Sequence, residues 1–147
     1  MILNQDFREF IESLNKNDVQ YLVVGGYAVA FHGHPRYTKD LDVWIKVEPD
    51  NAQRVTQALS DFGFESLGLK PDDFLTPGYV IQLGYPPYRI DILTEVKGVD
   101  FDNCYSQRVI ADIGGVSVYF IDLENLKLNK RAVARDQDLA DLKALNK

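Results

Sequence analysis

The chain has little of several things, and each shortage removes a class of function. A single cysteine, Cys104, among 147 residues excludes an internal disulfide. No candidate His partner stands near it in sequence, so a thiol nucleophile is not expected. No apolar run approaches the roughly 20 residues needed to span a bilayer. The opening residues Met1-Ile2-Leu3-Asn4-Gln5-Asp6 lack the basic region and apolar stretch of a signal peptide. A cytoplasmic chain without membrane contact is the expectation. Neither Gly-x-x-x-x-Gly-Lys-Ser/Thr nor Gly-x-Gly-x-x-Gly occurs, so the usual phosphate loops of ATPases and dinucleotide enzymes are absent. The histidines, His32 and His34, lack a third ligand at suitable spacing and make a poor zinc site. Basic residues are outnumbered, 16 against 22 acidic, for a net charge of −6. That balance opposes strong non-specific nucleic-acid binding, while a surplus of carboxylates suits a metal site.

What is present reads as one domain over residues 1–147, with a single core and no repeat, linker or low-complexity tract. Phe7, Phe10, Ile11 and Leu14 recur at helical spacing, predicting an amphipathic helix over about 4–16 with Asn4 as N-cap. Tyr21-Leu22-Val23-Val24 is short, apolar and β-rich, and predicts a buried strand. A short helix follows Gly25-Gly26, and a second strand covers about 40–47. Pro49 suits the first turn of a helix ending near Gly63. Residues 80–83 and 88–93 predict two strands joined by a turn at Tyr85-Pro86-Pro87. A short helix over 100–106 precedes a hairpin, 109–113 with 116–120, whose Gly114-Gly115 supplies the positive φ of a tight turn. The tail from Asp122 to Leu145 reads as two helices. The class is α/β (α+β), a mixed sheet flanked by helices with further helices at the C-terminus.

The chemistry concentrates in Val24-Gly25-Gly26 and Asp40-Leu41-Asp42-Val43-Trp44-Ile45. Glycines let backbone approach phosphates closely. Strand side chains alternate, so Asp40, Asp42 and Trp44 share one face. Two carboxylates side by side repel unless a cation lies between them. In Arg89-Ile90-Asp91-Ile92-Leu93 a third carboxylate is flanked by isoleucines expected to point inward. If the two strands are neighbours, Asp40, Asp42 and Asp91 converge. Such a triad can hold divalent cations, Mg²⁺ or Mn²⁺, for phosphoryl displacement, and Asp91 can take the proton of an attacking hydroxyl.

Val24 to Val43 resembles the signature of the DNA polymerase β-like nucleotidyltransferase superfamily: a hydrophobic residue, Gly-Gly or Gly-Ser, a spacer, then Asp-hydrophobic-Asp. The resemblance implies a nucleotidyltransferase-like mixed sheet. It makes Gly25 and Gly26 the phosphate-contacting turn, Asp40 and Asp42 the metal pair, and Asp91 the third carboxylate. Gly26 stands where many members carry Ser, which removes a hydroxyl contact and keeps the amide. Gly25-Gly26-Tyr27-Ala28 and Arg36-Tyr37-Thr38-Lys39-Asp40-Leu41-Asp42 resemble the minimal AbiEii-type nucleotidyltransferases in particular.

Arg36 and Lys39, just before the metal pair, are placed to meet a triphosphate. In the tail, Lys127, Arg131 and Arg135 are spaced i, i+4, i+8, with Lys130 close by. Like charges at that spacing disfavour an isolated helix and suggest an anionic partner. The resemblance makes Lys130, or Lys127 one turn earlier, a nucleotide-binding lysine. Asp138 and Asp141 either support that site or pair with Arg135 to cap the fold.

These readings imply a metal-dependent nucleotidyltransferase that moves a nucleoside monophosphate from an NTP such as ATP to an acceptor hydroxyl, releasing pyrophosphate. Acceptors among such proteins include tRNA or other RNA ends, proteins and small molecules. AbiEii-type relatives add a toxin–antitoxin role and a cognate partner protein. Two alternatives remain open: a catalytically weak nucleotide- or partner-binding module of the same fold, and a metal-dependent phosphohydrolase using the same carboxylates.

Overall fold

The computed structural model describes residues 1, 3–33, 38–85 and 88–146. The turn expected at Tyr85-Pro86-Pro87 has Pro86 and Pro87 outside the described residues, as are His34 and Arg36. The elements in chain order are α1 (Gln5–Lys16), β1 (Tyr21–Val24), α2 (Gly25–Phe31), β2 (Asp40–Ile45), α3 (Pro49–Leu59), β3 (Val80–Tyr85), β4 (Tyr88–Leu93), α4 (Phe101–Ser106), β5 (Val109–Ile113), β6 (Val116–Phe120), α5 (Leu123–Val133) and α6 (Asp136–Leu145). The strands form one six-stranded mixed sheet in the order β3-β4-β2-β1-β6-β5. β2 runs parallel to β4 and β1 parallel to β6, while β1/β2, β3/β4 and β5/β6 are antiparallel.

Local chemistry accounts for the boundaries. The Asn4 side chain accepts from the Phe7 N–H at 2.8 Å and starts α1, and Asp18, at φ 54°, turns the chain out of it. Phe7, Phe10, Ile11 and Leu14 are all buried by α1, each contributing about 1.5–3 kcal/mol on removal from water. Ser13 Oγ donates to the Ala58 carbonyl at 2.7 Å and ties α1 to α3. Glu48 caps α3, with Pro49 at its first turn. A wider turn, Ser60–Phe64, then carries the chain through Gly63.

Two expectations change. The paired glycines open α2 instead of forming a loop ahead of it. The basic spacing Lys127, Arg131, Arg135 does not form one helical stripe, because Ala134 adopts φ 57° and ends α5 before Arg135. Arg135 instead precedes the first turn of α6.

The sheet has two unlike faces around β2 and β4. Leu41, Val43, Ile45, Ile90 and Ile92 lie on one face and are buried. Asp40, Asp42, Arg89 and Asp91 lie on the other, followed by Trp44, which packs edge-on against Phe101 of α4 at 5.1 Å. Among the described residues, no helix is long and apolar enough to cross a membrane.

Candidate active site

The parallel pairing of β2 with β4 places Asp42 opposite Asp91 and Asp40 opposite Arg89. Neighbouring strands lie about 4.8 Å apart, so the three carboxylates expected from sequence are brought together. Ile90 and Ile92 anchor β4 in the core, and Asp91 is itself only 7 % exposed, deeper than its place on a polar face implied.

Arg89 sits within this cluster. Its Nε donates to Asp91 Oδ1 at 2.8 Å, and its Nη2 donates to Asp91 Oδ2 and to Asp40 Oδ2, each at 3.1 Å. One guanidinium thus bridges two of the three carboxylates, in the forked geometry that makes such pairs strong. Sequence reasoning missed this role. The signal was there, because Arg-x-Asp in a strand puts both side chains on one face.

Asp42 has no such partner. Among the described residues it makes no hydrogen bond or ion pair. Burial, together with the charges of Asp91 and Asp40, pushes its carboxyl up to about 7, against the opposing pull of Lys130 and Arg89. A carboxylate in that position is one that a nearby cation would stabilise. Gly25, at φ 68°, packs directly on it: a Cβ at Gly25 would fall on Asp42 Oδ2. Val24 and Asp42 are partners across β1 and β2, so the glycine turn and the carboxylate row meet in space. No side chain caps α2, which leaves the first amides of that helix available to an acceptor.

Gly26 is buried at the same helix start, and Lys39 is exposed just ahead of β2. Lys127 pairs with Glu124 at 3.8 Å. Lys130 is deeply buried, and its Nζ reaches Asp138 Oδ1 and Asp141 Oδ2, both at 3.1 Å. Arg135 Nε also donates to Asp138 Oδ2 at 2.8 Å. Burial would raise the Asp138 carboxyl, but Arg135 and Lys130 outweigh it and hold it below its ordinary value. Of the two readings of Asp138 and Asp141, pairing with Arg135 is seen for Asp138, while Asp141 pairs with Lys130 and accepts from Gln137 Nε2 at 2.9 Å. The Lys130 charge favours the ionised form of Asp42, which couples this clamp electrostatically to the carboxylate row. Cys104 is fully buried, and burial pushes its thiol up to about 12, unsuited to nucleophilic work.

Hard carboxylate oxygens are the ligands that Mg²⁺ and Mn²⁺ prefer, and the uncompensated Asp42 fits such a cation. Among the described residues no three acidic, imidazole or thiol groups stand as a preassembled cation cage. Arg89 already spans two members of the row.

The family model described as "Nucleotidyltransferase of unknown function (DUF6036)" matches residues 2–146. No curated protein matches the chain. Several solved structures share its fold, three of them as follows. One is a Thermotoga maritima protein assigned as a nucleotidyltransferase, at 15 % identity and a TM-score of 0.61, covering 99 % of this chain and 96 % of that one. Another is the lincosamide antibiotic adenylyltransferase LnuA with lincomycin bound, at 16 % identity and a TM-score of 0.61, covering 99 % and 97 %. The third is an antigenic nucleotidyltransferase-like protein from Paracoccidioides brasiliensis, at 16 % identity and a TM-score of 0.58, covering 98 % and 77 %.

Proposed function

The chain belongs to this nucleotidyltransferase family, and on that premise we propose that it transfers a nucleoside monophosphate from an NTP to an acceptor hydroxyl. The observation that carries the reading is the half-buried Asp42, which forms no ion pair among the described residues, set against the Gly25 turn and in register with Asp91. Asp40, Asp42 and Asp91 would hold Mg²⁺ or Mn²⁺, which neutralises triphosphate charge as the α-phosphorus reacts. The acceptor oxygen forms a bond to that phosphorus, the bond to the bridging oxygen of the β-phosphate breaks, and pyrophosphate leaves. Asp91 takes the hydroxyl proton. Gly25 and Gly26 offer backbone amides to the phosphates at the start of α2. Lys39 and Arg36 add positive charge on the approach to β2. Lys130, held by Asp138 and Asp141, supplies a fixed positive charge that acts on Asp42, and Lys127 lies one turn earlier on α5.

ATP is the nucleotide we favour, since one neighbour in fold is an adenylyltransferase. That neighbour carries lincomycin, which supports a small-molecule acceptor here over an RNA end or a protein. A toxin–antitoxin setting with a partner protein rests on the AbiEii resemblance alone. A second reading is favoured by one observation: Arg89 spans Asp40 and Asp91, as a nucleotide-binding module without turnover would tolerate.

The test is incubation with α-labelled NTPs and Mg²⁺ beside RNA, protein and small-metabolite acceptors. Label transfer with pyrophosphate release, lost in Asp40→Ala and Asp42→Ala, is the expected result. Inorganic phosphate as product would mark a hydrolase. Mg²⁺-dependent NTP binding without product would mark the binding module.

A further inference from the structure

If Asp91 receives the proton of the attacking hydroxyl, the acceptor has to lie against Asp91. Its surroundings are asymmetric. On the inner side is Asp42, and ahead of it along β4 is Arg89. On the outer side is the edge strand β3, where Gln82 stands opposite Asp91. The row Asp42, Asp91, Gln82 therefore crosses three strands on one face. Facing side chains on adjacent strands have Cβ atoms about 4.5–5.5 Å apart. Gln82 is exposed, and its amide makes no side-chain hydrogen bond among the described residues. Two places along the same face are Gly84, which puts no side chain beside Arg89, and Val80, 52 % exposed. Tyr79, 57 % exposed, leads into the strand. Among the described residues, the β3 edge thus presents the Gln82 amide beside Asp91, with Val80 and Tyr79 exposed at one end.

Charge restricts what can lie there. Asp40, Asp42 and Asp91 share this face, Glu95 lies near Gly78 just before β3, and Arg89 is already committed to Asp40 and Asp91. A polyanion laid across this edge would meet carboxylates without the cations that supply most nucleic-acid affinity. A hydroxyl compound finds in Gln82 both a donor and an acceptor, and its apolar part finds Val80.

We propose that Gln82 is an acceptor-specificity residue, and that the acceptor is a small hydroxyl-bearing compound, neutral or cationic, with an apolar portion. The proposal rests on the nucleotidyl-transfer reading of the same site. In the experiment the full chain, with Mg²⁺ and α-labelled NTPs, meets separate preparations from a cell extract: cationic, neutral and anionic small molecules divided by ion exchange, total RNA and total protein. Label is expected in the cationic or neutral small molecules. The Gln82→Ala variant is expected to raise the KM for that acceptor about tenfold, the size of one lost hydrogen bond, with kcat and NTP affinity within about twofold. Label in RNA, protein or the anionic fraction would overturn the proposal, and so would an unchanged acceptor KM in Gln82→Ala. Label in no fraction, while Mg²⁺-dependent NTP binding persists and is lost in Asp42→Ala, would overturn it as well. Absence of that binding would instead remove the transfer reading beneath it.

Discussion

Two charged clusters in this molecule are balanced differently. At the junction of α5 and α6, Lys130 and Arg135 face Asp138 and Asp141, two charges of each sign with short contacts between them. On the sheet, Asp40, Asp42 and Asp91 stand together, and among the described residues Arg89 is the cation paired with them, through Asp40 and Asp91. The first cluster is complete and holds two helices together. The second is short of positive charge, and the shortfall falls on Asp42. Folding alone gives no reason to crowd three carboxylates onto one face of the sheet, which is why this cluster reads as the working one.

The comparison can be broken most severely at Lys130. Lys130→Met removes the cation that Asp138 and Asp141 share, leaving Asp138 with Arg135, and a loss of about 3–5 kcal/mol is expected from denaturant unfolding. Replacing both aspartates by Asn in the same background should recover much of that loss. Gly25→Ala places a methyl group on Asp42 Oδ2 at a positive φ. A loss of about 2 kcal/mol is expected by the same measurement, with NTP affinity falling alongside.

Asp42→Asn should act in the opposite sense. The native Asp42 keeps its proton up to about pH 7, whereas an ordinary aspartate releases it near 3.8. The folded state therefore binds more protons across that interval, and stability falls as pH rises through it. Removing the carboxylate should raise stability at pH 8, without divalent cation, by on the order of 1–2 kcal/mol. The gain should shrink as pH falls and vanish well below pH 3.8, where both states are protonated, and transfer activity should be lost. Asp138 slopes the other way: its carboxyl is held low, so its contribution is present above pH 3.8 and fades as acid protonates the folded form. The smallest effect is expected at Arg89, which is partly exposed. Arg89→Gln should lower the melting temperature more at pH 8 than at pH 4, and added Mg²⁺ should restore more of it than in the parent chain.

Much of this was legible in the sequence, and the limits follow from the physics. The helical spacing of Phe7, Phe10, Ile11 and Leu14, the Asn4 cap, and the turn at Gly114-Gly115 depend on near neighbours, and each appears where local rules put it. The convergence of Asp40, Asp42 and Asp91 required β2 to lie beside β4. The family motif implied that adjacency, whereas local pattern could only state it as a condition. The break at Ala134 was not legible, because alanine is a good helix former and no glycine or proline marks the site. Across the break, Lys130 of α5 pairs with Asp138 and Asp141 of α6, contacts between residues 8 and 11 positions apart that local pattern does not reveal. Gln82 was also invisible, since its meaning comes from the Asp91 opposite it on another strand.

The sheet order has a consequence for motion. β2 lies between β4 and β1, hydrogen-bonded on both sides, while β3 and β5 form the two edges. Strands paired on both sides open last, and edge strands fray first. Amide exchange should therefore be slowest through Asp40–Ile45 and faster through Val80–Tyr85. The carboxylate row would then stay fixed in place while the edge strand beside Asp91 breathes, so a nucleotide meets a rigid wall and an acceptor meets a yielding one.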